Sequence, residues 1–184
     1  VHEISNDSLG GVPILPTYCP LCNSGIVFDR RIQHSGKDHV LEFEVSGMLR
    51  KSDMIMLDRQ TESLWQQAMG TAIVGEMTGT ELDVIPSLVI SVEAYFNKYP
   101  DGLILSKAAG GEEMQKHYGR NYYVHYDAPG AGPYNRYFNE EDIDNRLPAM
   151  ERVVDISDGG DYKIYPFSAV TEKGVINDHF KSKH

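Results

Sequence analysis

The sequence predicts a mainly β, α+β fold: a short-stranded barrel- or sandwich-like body with one main helix near 87–99. Three observations lead there. Gly47, Gly70, Gly75 and Gly79 punctuate the chain at intervals too short for helices. The segments around them are short, apolar and β-prone; in His39 to Ser46, Leu41, Phe43 and Val45 alternate with Val40, Glu42, Glu44 and Ser46, the period of two of a strand with one apolar face. Only Ser87 to Tyr99 carries a clear helical period, with Leu88, Val92, Tyr95, Phe96 and Tyr99 near one face, Pro86 before it and Pro100-Asp101-Gly102 after it.

Taken in order, Gly10-Gly11 signals a turn, and Val12 to Tyr18 reads as an extended segment that Pro13 and Pro16 make irregular or place at a sheet edge. Gly25 to Gln33 and His39 to Ser46 read as two strands joined by the polar hairpin turn HSGKD. Met54 to Leu57 is a short apolar strand, Asp58 to Thr61 a polar turn before Trp65, and AIVGEM a further strand. A second, shorter helix is expected over Glu112 to His117, and residues 118–138, with six of the eleven tyrosines among glycines and prolines, read as an irregular aromatic loop. After Leu147-Pro148-Ala149 the chain starts again with ERVVDI, the turn DGGD, the strand YKIYPF and TEKGVINDHF. In that last piece Val175 to Asp178 overlays Ile4 to Asp7. Residues 1–148 are therefore expected to form a first β-rich unit lacking its opening part. Residues 149–184 are expected to be either the start of a second, related unit or a strand completing the first.

At 184 residues, 41% of them hydrophobic, the chain is long enough for a sizeable core. A formal net charge of −10 argues against nucleic acid and anionic membrane as partners, because both are bound through clustered Lys and Arg. No run of eighteen apolar residues exists, so no transmembrane segment is expected. Residues 1–11 lack the pattern of a signal peptide and the chain does not start with Met; we expect a piece of a longer protein with any export signal upstream. The Gly-rich pieces GTAIVG and GEMTGT lack the Lys-Ser/Thr of a phosphate loop, so no nucleotide is expected.

The only two cysteines, Cys19 and Cys22, stand in TYCPLCNSGIVFDR, a spacing that suits a shared metal ion, a tight disulfide or a redox pair. HEISND, TYCPLCNSGIVFDR, SGMLRKSDMIMLDRQTESLWQQ, AIVGEMTGTEL and KIYPFSAVTEKGVIND together resemble the bacterial family called domain of unknown function 3179. The resemblance spans most of residues 1–106 and returns at 151–178. It implies no established activity. It does imply export, to the periplasm, the cell surface or beyond, and a strand ending in Tyr-Pro ahead of the HEIxND element, which here occurs only at Tyr165-Pro166.

The metal reading joins Cys19 and Cys22 with His2, with His125 or Asp7 as an added ligand. Two thiolates and an imidazole suit Zn²⁺ or copper, and three protein ligands leave an open position. The alternative is a thiol–disulfide redox pair of Cys19 and Cys22 without metal; it lacks the helix that follows CxxC in thioredoxin-like proteins, since Asn23-Ser24-Gly25 and a strand come next. A third alternative is a structural module that self-assembles as a homo-oligomer, by exchange of the strand segment 152–167. That segment is expected to lie beside the strand leading to Tyr18, in its own chain or a neighbouring copy. Asp29, Arg30, Asp58 and Arg59 read as a structural polar cluster in which Arg–carboxylate pairs pin turns, and Trp65 reads as core. No ordering of Ser, His and Asp stands out, and the reading leans away from an enzyme.

Overall fold

The computed structural model describes residues 3–105, 112, 116–117, 119–120, 122–126, 138–158 and 160–181. Among the described residues it is mostly β, sandwich-like, with no closed barrel. One four-stranded antiparallel sheet has the order β1 (Asp7–Leu9), β2 (Val12–Cys19), β3 (Ser24–Asp29) and β10 (Val84–Ile85). The other has the order β6 (Phe43–Arg50), β7 (Asp53–Asp58), β8 (Leu64–Gln66) and β9 (Thr71–Val74). Between them in the chain lies the hairpin of β4 (Arg31–His34) and β5 (Lys37–Val40), and near the end a second hairpin of β11 (Val153–Asp158) and β12 (Asp161–Pro166).

One core joins both sheets. Leu15, Cys19 and Phe28 from the first meet Phe43, Met54, Met56, Trp65 and Ala72 from the second, with Ile32, Leu41, Met77 and Leu82 closing the sides. Trp65 is fully buried, its ring edge-on to Phe43 at 5.5 Å and its Nε1 donating to Asp58 at 2.8 Å. β7 is buried along nearly its whole length because it has a paired neighbour on each side and core on its face. That explains the unbroken apolar run Met54-Ile55-Met56-Leu57.

Several expectations need correction. The strand expected from Gly25 to Gln33 breaks at Arg30, and that expected from His39 to Ser46 breaks after Val40. The cause is the buried Arg30 guanidinium, which donates to the carbonyls of Ile14 at 3.1 Å, Leu41 at 2.9 Å and Asp7 at 3.0 Å and so holds the corner where the chain leaves one sheet for the other. The hairpin turn itself narrows to Ser35-Gly36, both at positive φ. The main helix, α1 (Val92–Lys98), is shorter than its apolar period: Ser91 caps it by accepting from Ala94 N at 3.0 Å, the β-branched Val89 and Ile90 stay outside it, and none of its residues is buried. It is no longer than a second helix, α2 (Phe167–Lys173).

The edge beside Tyr18 is already occupied. Tyr18 N donates to Glu3 O at 2.8 Å and Ile4 bridges Thr17, while β3 pairs along the other side of β2. Among the described residues of this chain, β11 and β12 pair with each other as a separate two-stranded sheet. Residues 113–115 of the helix expected over Glu112–His117 and most of the tyrosine-rich stretch lie outside the described residues, as does His2.

Candidate metal centre

Two hairpin ends and one loop meet at the cysteines. In the first hairpin, Cys19 ends β2 opposite Ser24, and Pro20-Leu21-Cys22-Asn23 close the turn, with Asn23 at φ 51° and its side chain held by the Tyr18 hydroxyl at 2.9 Å. In the second, Arg50 pairs with Asp53 across a two-residue turn, so Lys51 and Ser52 both take positive φ, 49° and 61°. Neither is glycine, and holding each there costs of the order of 1 kcal/mol. This strained turn delivers the Ser52 carbonyl and the Asp53 carboxylate to the sulfurs.

Cys19 Sγ and Cys22 Sγ stand 2.9 Å apart, and Cys22 Sγ lies 3.3 Å from Asp53 Oδ1. The Ser52 carbonyl is 3.8 Å from the first sulfur and 3.6 Å from the second. Cys19 and Asp53 are buried, whereas Cys22 is exposed and gives the group its opening to solvent. The other Asp53 oxygen accepts from Ala68 N at 2.9 Å, which fixes the carboxylate plane. The ligand atoms of Cys19, Cys22 and Asp53 all fall within 4.8 Å of one another, a group that could hold a metal ion.

The two thiols are not equivalent. The hydrogen bond from Cys22 pulls Cys19 down to about 7 from an ordinary 9.0, against the opposing effect of burial. That same bond, followed by burial and the charges of Cys19 and Asp53, pushes Cys22 far up. Of the metal-free pair, Cys19 ionises first, its sulfur accepting from the Cys22 thiol. Their separation falls between the roughly 2.05 Å of a disulfide and the roughly 3.7 Å between two thiolates on one tetrahedral ion with bonds near 2.3 Å. A movement of under about 1 Å reaches either state.

Asp53 is not among the residues that the sequence singles out. Its signal is a carboxylate opening an otherwise apolar strand, DMIML, in a position that turns out to be buried. His125 and Asp7 do not join the group: His125 is exposed at φ 66°, and Asp7 is exposed and accepts from Ser8 N. His2 is outside the described residues. Asp29, Arg30, Asp58 and Arg59 serve separate contacts. Asp29 pairs with Arg31, Arg30 with three carbonyls, and Arg59 with Glu42 and Glu44 on the surface. Asp58 binds Thr61 N at 2.7 Å and the Trp65 ring nitrogen, so its own turn is pinned by a carboxylate on a main-chain amide instead of an Arg–carboxylate pair.

Among the described residues no helix is long and apolar enough to cross a membrane. No curated protein and no solved structure matches the chain. One family model does, over residues 1–184, and the chain belongs to that family, the proteins of unknown function called DUF3179.

Proposed function

We propose that this domain is exported and binds one soft or borderline metal ion through Cys19, Cys22 and Asp53. The observation that supports this is the convergence of two sulfurs and a buried, oriented carboxylate from two separate hairpins. A thiolate pair alone suits Cu(I) and Zn²⁺ alike; adding a hard carboxylate oxygen favours Zn²⁺, which accepts mixed S and O ligands at four-coordinate sites. Binding displaces the proton shared by the thiols. Three ligands leave a position for water, substrate or a fourth side chain, for which His2 is the candidate from sequence. Such an open site suits metal carriage or metal-assisted chemistry better than a structural staple. Elemental analysis of the full-length protein, purified from its native compartment without chelator, tests the proposal. One zinc per chain, lost in Cys19→Ser and Cys22→Ser, supports it; no metal in the wild type refutes it.

A second reading draws on the 2.9 Å separation and the asymmetric thiols. As a dithiol, the pair meets an incoming disulfide at the exposed Cys22, whose sulfur displaces one partner thiol as its proton passes to Cys19; Cys19 then displaces the other and closes the Cys19–Cys22 bond. The pair loses two electrons and two protons, and the partner disulfide leaves as two thiols. Mass spectrometry of alkylated protein from the same preparation distinguishes this state by the absence of two modifiable thiols.

A further inference from the structure

We infer that Gln67 is the positioning residue of the cysteine–aspartate centre, an inference that rests on the metal reading proposed above. Gln67 has no exposed surface. Its amide spans the two feet of the CPLC turn: Nε2 donates to Thr17 Oγ1 at 2.9 Å, and Oε1 accepts from Ser24 Oγ at 2.9 Å. Thr17 stands two residues before Cys19 and Ser24 two residues after Cys22. One side chain thus ties both strands at the base of the loop that carries both sulfurs.

The direction of this chain of bonds is fixed. Thr17 donates its single hydroxyl proton to Ile26 O at 2.8 Å, so towards Gln67 it can only accept. The amide nitrogen must then face Thr17 and the amide oxygen Ser24, which donates. The main chain around Gln67 braces the third ligand as well. Gln67 N donates to Met54 O at 3.0 Å, and the next amide, Ala68 N, holds Asp53. All three ligands are therefore referenced to one buried residue, although it touches none of their ligating atoms. A carboxylate in its place would set an anionic oxygen against Thr17 Oγ1, whose proton is committed, and bury a further negative charge beside the thiolates. The amide is required for both its donor and its acceptor.

The test uses the full chain, with Gln67→Met, which keeps length and volume, and Ser24→Ala, which removes one bond of the bridge. Asp58→Asn is the control, a buried polar change at the far end of β7, about 17 Å from Asp53 at the usual rise per residue. Two readouts are taken on folded protein: Co²⁺ affinity with its thiolate-to-cobalt absorption band, and, without metal, the reduction potential of the Cys19–Cys22 pair against glutathione. Loss of a residue that orients ligands without touching the ion typically weakens binding about 10–100-fold. Gln67→Met is expected to do so, with an altered cobalt band and a shifted potential. Ser24→Ala should act in the same direction by less, and Asp58→Asn should lower thermal stability while leaving both readouts at wild type. Wild-type values in Gln67→Met and Ser24→Ala, or equal changes in the control, would overturn the inference. If the wild type binds no Co²⁺, the metal reading fails, and the potential alone decides the role of Gln67.

Discussion

Replacing Asp53 separates folding from binding, because the two oxygens of its carboxylate have different tasks. Oδ2 accepts from Ala68 N at 2.9 Å, and Oδ1 faces Cys22 Sγ at 3.3 Å, in a side chain only 4% exposed. In Asp53→Asn the amide oxygen can still accept from Ala68, so stability should change by under about 1 kcal/mol, the net scale of one retained hydrogen bond. In Asp53→Ala the Ala68 N–H is left without an acceptor, which costs about 1–3 kcal/mol. For a domain of this size that lowers the melting temperature by about 2–4 °C per kcal/mol. Both variants lose the anionic ligand. Outer residues that merely orient ligands are worth about 10–100-fold in affinity, so removing a ligand should exceed the upper figure, at least about 2.7 kcal/mol of binding energy. Calorimetry with Zn²⁺ under reducing conditions, paired with thermal melts followed by Trp65 fluorescence, reads both quantities. A near wild-type melt with binding lost in Asp53→Asn is the expected result. Wild-type affinity in Asp53→Asn would show that the carboxylate does not ligate, and the site would reduce to a cysteine pair.

The metal-free protein should gain ultraviolet thiolate absorbance from Cys19 with a midpoint near pH 7, since the lowered pKa places its thiolate there. Cys22→Ala removes the hydrogen bond that lowers that pKa and leaves burial, which raises it, so the midpoint should move up towards or above 9. An unchanged absorbance profile in that variant would mean that Cys22 does not supply the stabilisation. Trp65→Phe removes the buried bond to Asp58 and part of the ring packing. Urea denaturation should show a loss of at least about 1–3 kcal/mol, with Zn²⁺ affinity unaltered; equal affinity loss would place Trp65 in the site's support instead of the distant core.

The cysteine half of the site is legible because the chain has two cysteines and they are three residues apart. Asp53 is not, because 31 residues separate it from Cys22 and it is one of 27 acidic residues. Only the register of β6 with β7, which puts a two-residue turn at Lys51-Ser52, carries its carboxylate to the sulfurs. Gln67 is hidden for a related reason: in Trp65-Gln66-Gln67 the two glutamines look alike, yet Gln66 pairs in β8 and accepts from Arg50, while Gln67 turns into the core. The alternating strand His39 to Ser46 is legible by its period, but its break after Val40 is not. The break depends on Arg30 finding carbonyls from three distant segments. The helical period of Ser87 to Tyr99 locates α1, but the Ser91 cap, a local side-chain bond, sets its start.

X-ray absorption at the zinc edge, on full-length protein loaded with one equivalent under reducing conditions, tests the central claim most directly. The account predicts two sulfur neighbours at about 2.3 Å, with the remaining ligands oxygen or nitrogen at about 2.0–2.2 Å. One of those oxygens should disappear in Asp53→Ala. A shell without sulfur, or protein that takes up no zinc while both thiols are reduced, would contradict it.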